Sequence, residues 1–327
     1  MVIRAIWMPM KRLFLLSAFS FITMMLFSCV GRPVRDDRYV IATLRGPSSL
    51  GMLYFIDSLN NVNDAGFEVR ILNEPLQVRK MMLDGSADFA VLPTTMAALI
   101  YNKGMDYRMA AVSTWGTLYL CGNDTTIRQW NDLENNKVYL MAKNMTPDVL
   151  FRHLLLENGL EPYSDLDLDY RFPSHLDLAN ATAAGIAPMS VISEPYLSNA
   201  LLKNPGLHIL MSLHDEWTKI HHSEMPETAF ICKGELKETN PQLVDNVVNI
   251  YKNSVNRVNS RLGEAAQLAV RFEIIADSVA ARNSIPRSNL KVVGSDECKS
   301  LIADYLSVFY KMDPSIIGGK MPDEKFY

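Results

Sequence analysis

The sequence has little of what would staple, charge or thread it. Its 327 residues contain four cysteines, and the first, Cys29, closes the run Leu26-Phe27-Ser28-Cys29, a lipidation signal more than a disulfide site. The other three, Cys121, Cys232 and Cys298, are an odd number and cannot all pair. Cys121 and Cys232 both end strand-like runs, which leaves two readings open: a cross-strand contact between them, or small buried thiols. No block of like charge occurs and the formal net charge is -4, so the basic footprint of a nucleic-acid binder is missing. There is no CxxC, no phosphate-cradling glycine-rich loop and no nucleophile elbow, so the common redox, nucleotide and hydrolase signatures are absent. With 48% of residues apolar, a core that needs no staples is expected.

A long apolar stretch, Leu13 to Phe27, falls short of the roughly 20 residues a bilayer span needs. Lys11 and Arg12 precede it and the small Ser28 stands before Cys29, the order of a bacterial lipoprotein leader. Segment 1–28 therefore reads as a signal peptide and Cys29 as the lipidated first residue of the mature chain. Residues 29–38, with Gly31, Pro33 and several charges, read as a tether. The expected location is the cell envelope, anchored by lipid on the extracytoplasmic side.

Beyond the tether, strand and helix signals alternate, which predicts an α/β protein with mostly parallel sheets covered by helices. Tyr39 to Leu44, Phe67 to Leu72 and Asp88 to Leu92 read as strands, each followed by a helical pattern. Tyr107 to Ser113 and Thr117 to Cys121 are two further strands around Trp115-Gly116. A second unit repeats the alternation, with a strong helix from Thr146-Pro147 to Asn158-Gly159, Thr146 at N-cap and Pro147 at N1. Thr228 to Cys232 reads as a strand returning to the first unit. From Pro241 onward only helical periodicity is visible, with Leu243, Val247, Ile250 and Val258 on one stripe. The predicted architecture is a discontinuous first lobe, 39–121 and 228–327, with a second lobe, 122–227, inserted into it. Two crossings near Gly122 and Ser223 would form a hinge beside a cleft.

Three loops share one design: a strand ends, a hydroxyl residue follows and a helix begins. They are Gly46-Pro47-Ser48-Ser49, Pro93-Thr94-Thr95 and Asn144-Met145-Thr146. Such loops gather at the carboxyl edge of α/β sheets, and helix starts offer free N–H groups and positive dipole ends to an anionic or polar ligand. Ser48, Ser49, Thr94, Thr95 and Thr146 are therefore candidate ligand contacts, although plain helix capping explains any one loop equally well. Trp115 either stacks on a flat ligand or seals the edge of a core. Glu194, before Pro195 at a helix start, is a further candidate at the cleft. His214, His221, His222 and Glu224 cluster in sequence but match no ligand spacing, so neither a metal nor a cofactor is predicted.

The stretch from Asn73-Glu74-Pro75 through Asp84-Gly85-Ser86-Ala87-Asp88-Phe89-Ala90 resembles type II periplasmic solute-binding proteins, in which a helix ends in a G-x-x-D turn. Thr146-Pro147-Asp148 with Leu154 to Leu160 looks like the second-lobe helix of that group. Glu194-Pro195 resembles a third marker, and Gly318-Gly319-Lys320-Met321-Pro322-Asp323 a common tail. The nearest branch binds nitrate, alkylsulfonates, taurine and thiamine-pyrimidine precursors for ABC importers. This chain departs from it at Lys143-Asn144-Met145, where the branch is often glycine-rich, so side chains would replace backbone contacts there. The resemblance implies a monomeric, non-enzymatic receptor that closes on a small solute and docks on permease and ATPase subunits. Enzymes on the same scaffold, of thiamine-pyrimidine and menaquinone synthesis, and a ligand sensor for a membrane partner are the alternatives. A cleaved, lipidated Cys29 separates the receptor from the enzymes, which work inside cells.

Overall fold

The computed structural model describes residues 38–60, 66–141 and 143–327; the expected signal peptide, Cys29 and nearly all of the tether lie outside the described residues. In chain order the first part comprises β1 (Tyr39–Leu44), α1 (Pro47–Gly51), α2 (Leu53–Asn60), β2 (Phe67–Leu72), α3 (Pro75–Leu83), β3 (Phe89–Pro93), α4 (Thr94–Asn102) and β4 (Tyr107–Thr114). Next come β5 (Leu118–Gly122), β6 (Lys137–Tyr139), α5 (Thr146–Glu157), β7 (Asp167–Asp169), α6 (His175–Ala183), β8 (Met189–Ser193), α7 (Tyr196–Lys203), β9 (His208–Ser212) and α8 (Leu213–His221). The chain ends with β10 (Thr228–Lys233), α9 (Gly234–Thr239), α10 (Pro241–Ser260), α11 (Leu262–Arg271), α12 (Ser278–Arg287), β11 (Leu290–Gly294) and α13 (Lys299–Met312).

These strands form two sheets and hence two lobes. The first sheet has the order β11-β4-β10-β3-β1-β2 and the second β7-β6-β8-β5-β9. The β1, β2 and β3 pairings are parallel, as are those of β6 with β7 and β8. One antiparallel strand sits inside each sheet: β10 between β3 and β4, and β5 between β8 and β9. Each of these strands enters its lobe directly after a crossing, and β11 also runs antiparallel, along the edge of β4.

Two expectations need correction. Thr117 to Cys121 was placed in the first lobe, yet β5 pairs with β8 and β9 of the second sheet. The first crossing is therefore the turn Trp115–Thr117, not Gly122. A strand also interrupts the late helical block, because β11 pairs along the edge of β4 through a shifted register. Its five residues, Leu-Lys-Val-Val-Gly, are too few to show a period of two, and the pairing with β4 fixes their conformation. The stretch around His214 forms α8, whose Ser212 hydroxyl accepts from Asp215 N at 3.2 Å and whose Leu213 and Trp217 are buried.

The core explains how the cleft loops are held. Phe89 and Phe230 stack at 5.5 Å in the first lobe, and α10 buries Val244, Val247, Tyr251, Val255 and Val258. Side chains of that size each contribute about 1.5–3 kcal/mol when removed from water. The same helix steadies α1: Tyr251 O–H donates to the Ser48 carbonyl at 3.0 Å and Ser254 O–H to the Gly51 carbonyl at 2.7 Å. Cys121, Cys232 and Cys298 are all free and buried, and Cys121 lies in the second sheet while Cys232 lies in the first, so these two do not pair. Among the described residues no helix is long and apolar enough to cross a membrane.

Candidate functional site

At the carboxyl edge of β3 the chain turns straight into α4. Thr94 donates its hydroxyl to the Pro226 carbonyl at 2.7 Å and its N–H to the Glu227 carbonyl at 2.9 Å, which ties α4 to the second crossing. Thr95, one residue on, points elsewhere. Its Oγ1 lies 2.8 Å from Oγ1 of Thr146, at the start of α5 in the other lobe. Both threonines are buried, at 4% and 8% exposure, so the contact is shielded from solvent. Thr146 was expected as the N-cap of α5; Met145 takes that position in extended conformation, and the Thr146 hydroxyl is thereby released toward Thr95. Two helix starts from opposite lobes thus meet through their hydroxyls.

The other candidates divide. Ser49 closes its own loop, accepting from Gly46 N at 3.1 Å and donating to the Gly46 carbonyl at 3.0 Å, and Ser48 is buried beside it. That loop faces the second lobe, since a Cβ on Gly46 would stand 3.6 Å from Pro195 Cδ. Glu194 is buried there and accepts from Ser198 N at 3.1 Å and Ser198 Oγ at 2.9 Å. Burial pushes its carboxyl up to about 7, against the lowering effect of the Ser198 hydrogen bonds and of Arg287. The Arg287 guanidinium, from α12 of the first lobe, stands 3.6 Å away and also donates to Ser198 Oγ at 3.1 Å. Trp115 seals the core: it is 2% exposed, and its indole N–H donates to the Lys291 carbonyl at 2.7 Å. The ring lies at the first crossing, with the Lys291 ammonium 5.1 Å from its centroid.

The histidine-rich stretch disperses. His221 places Nε2 2.9 Å from Nε2 of His153, His222 adopts a left-handed conformation just past α8, and Glu224 pairs with Lys291 at 2.6 Å. Among the described residues no three potential metal ligands converge. Two shallow concavities of about 410 and 370 Å³, lined by Thr125, Ile127 and Arg128 with His208 to Leu210 and by Asn135 with Tyr163 to Asp167, lie on the second lobe, and neither is lined by Thr95 or Thr146.

Sequence reasoning missed several groups at this edge. Asp148, fully buried one turn into α5, accepts from Asn144 N at 2.7 Å, Arg152 Nε at 2.9 Å and Tyr170 O–H at 2.5 Å. Lys143 places its ammonium over the rings of Tyr163 and Tyr170, 5.4 Å from each centroid. His175 stacks on Tyr196 at 5.5 Å. Glu227, beside Thr94, accepts from Thr117 N at 2.6 Å and Thr117 Oγ1 at 2.9 Å. Only Asp148, three residues after Met145 at a helix start, carries a local signal; the others are assembled from distant segments.

No family model matches the chain, and no curated protein matches it in sequence. Solved structures do. An ABC transporter protein from Parabacteroides distasonis superposes with a TM-score of 0.76 at 25% identity, over 89% of this chain and 98% of that one. The periplasmic aliphatic sulphonate binding protein SsuA of Escherichia coli gives 0.68 at 16% identity, over 84% and 87%. The periplasmic nitrate-binding protein NrtA of Synechocystis gives 0.53 at 14% identity, over 72% and 66%.

Proposed function

We propose that this chain, which has the two-lobe fold of the type II periplasmic solute-binding proteins of ABC importers, is the receptor of such an importer. It captures a small polar or anionic solute between its lobes and presents it to a permease driven by an ATPase. The observation that carries this reading is the Thr95–Thr146 contact, which brings two helix N-termini from opposite lobes to one point. Free N–H groups and dipoles of the same sign then face a shared space, where a solute with acceptor oxygens is held from both sides. The crossings Trp115–Thr117 and His222–Glu227 serve as the hinge. A solute drives closure only by binding the closed form more tightly than the open one, and contacts drawn from both lobes supply that difference.

Sulfonates, nitrate and pyrimidines are the ligand classes this reading favours, by likeness to the structural relatives and to the resembled branch. Lipidation at Cys29 would keep the receptor beside its permease, and it rests on the leader sequence. A monomer suffices for this mechanism, since both faces of the site come from one chain. The test is thermal unfolding of the mature chain with alkylsulfonates, nitrate, pyrimidines and flavins. A ligand at a hundred times its Kd adds about 2.7 kcal/mol of stability. The double variant Thr95→Val with Thr146→Val should fold and lose most of that gain, because it removes both hydroxyls and leaves no orphaned partner. An unchanged ligand response in the double variant refutes the site.

A further inference from the structure

The lobes also meet away from the paired threonines, where α12 of the first lobe packs against α7 of the second. The last residue of α12 reaches the first turn of α7. Arg287 Nη1 donates to Ser198 Oγ at 3.1 Å, and that hydroxyl donates to Glu194 Oε1 at 2.9 Å. One serine therefore relays the guanidinium to a carboxylate 3.6 Å away. Ser198 and Glu194 are buried, so the relay works in a place that water does not compete for. The charges also suit the helix ends that carry them: a cation at the carboxyl end of α12 and an anion at the amino end of α7 each complement the local dipole.

The α12 backbone is held by the same neighbour. Tyr119 O–H, from β5 in the second lobe, donates to the Arg287 carbonyl at 2.8 Å. The last four carbonyls of a helix have no intrahelical partner, so the second lobe caps a helix of the first. Two residues on, Asn289 turns left-handed at φ 44°, donates its side-chain amide to the Gly116 carbonyl at 2.7 Å and accepts from Trp115 N at 3.1 Å. Glu194 N in turn donates to the Thr117 carbonyl at 3.0 Å. Both ends of the Arg287 bridge are thus tied to the first crossing, the turn on which the lobes would swing. Every partner in the bridge belongs to the chain itself, so it acts with or without a solute between the lobes.

We propose that Arg287, together with Ser198 and Tyr119, is a latch that favours the closed arrangement of the lobes and so raises the receptor's affinity without touching the solute. This deepens the receptor reading and rests on it. Apparent Kd is the intrinsic Kd divided by the fraction of the chain competent to bind, so a contact that raises the closed fraction tightens binding by the same factor. Arg287 and Tyr119 are positioning residues in this scheme.

The experiment measures the lobes directly, with no solute added. Leu83→Cys on α3 and Leu176→Cys on α6 place nitroxide labels at exposed helical positions of opposite lobes, with Cys29→Ser in the mature chain and the buried cysteines left as they are. Interlobe distances are read by double electron–electron resonance at mildly alkaline pH, where the Glu194 carboxyl is ionised. The ratio of open to closed populations should rise about tenfold in Arg287→Ala and about threefold in Tyr119→Phe, since hydrogen bonds to charged groups outweigh neutral ones. Arg287→Lys should lie between wild type and Arg287→Ala. An arginine that only supports the fold would lower the melting temperature and leave the two populations as they were. Wild-type populations in Arg287→Ala and Tyr119→Phe overturn the inference. Tyr119→Phe removes one hydroxyl alone, so its result decides the matter if Arg287→Ala, which leaves Glu194 without its cation, does not fold. Failure of the receptor reading shows elsewhere, in a wild-type chain that no solute stabilises.

Discussion

Replacing His153 with glutamine should change how stability depends on pH. His153 lies on α5 at 8% exposure, with Nε2 2.9 Å from His221 Nε2, its ring 5.8 Å from the Trp217 ring and Nδ1 3.9 Å from Glu157 Oε1. Burial, then the His221 charge, lowers its pKa to about 4. One neutral imidazole donates to the other in this pair; two imidazolium rings have only donors, so protonation breaks the contact. A histidine depressed in the folded state contributes stability above its unfolded pKa of about 6.5, and loses it as pH falls toward the folded value. With those two values the loss at pH 5 is about 2 kcal/mol, and at pH 7.5 about 0.1 kcal/mol. His153→Gln has no such titration. Urea unfolding at pH 7.5 and pH 5.0 should therefore show the wild type losing about 2 kcal/mol more than the variant over that interval. Titrating groups away from this histidine pair, including Glu194 and Glu227, act on both proteins and cancel in the difference. Equal pH changes in the two proteins would refute a buried, neutral His153.

Two further perturbations address the scaffold. Asp148→Ala strands Arg152 and leaves Asn144 N–H and Tyr170 O–H without their shared acceptor, so the unfolding free energy should fall by about 3–5 kcal/mol in a denaturant titration. Gly116→Ala should lower stability by about 1–3 kcal/mol in a thermal melt, because the backbone has φ +113° and the new Cβ would stand 2.6 Å from His214 Cβ. A melting temperature unchanged by Gly116→Ala would show that the first crossing is less tightly packed than described.

Much of the fold was legible because its signals are local. Pro93-Thr94 and Thr146-Pro147 announce helix starts through side-chain chemistry within a few residues, and both helices begin there. The first three strands are continuous apolar or alternating runs, and they pair in parallel as the intervening helices require. The hidden pieces depend on partners far along the chain. β11 becomes a strand by lying on β4, and β5 joins the second sheet by pairing with β8 and β9. Trp115, open to two roles in sequence, finds its indole hydrogen-bond partner in the Lys291 carbonyl 176 residues away. Ser49 carried the same hydroxyl signal as Thr95, but its loop folds back on Gly46 and consumes it.

Element types, the alternation that demands helices over sheets, and the hydroxyl residues at helix starts are written locally in the chain, since capping and periodicity act over one or two turns. Which hydroxyls meet and which carboxylates acquire a cation depends on the packing of distant segments. Thr95 and Thr146 are 51 residues apart, and Glu194 and Arg287 lie on different lobes. Hydrogen bonds and charge pairs are decided over a few ångströms of space, and the packing of the two sheets sets those distances.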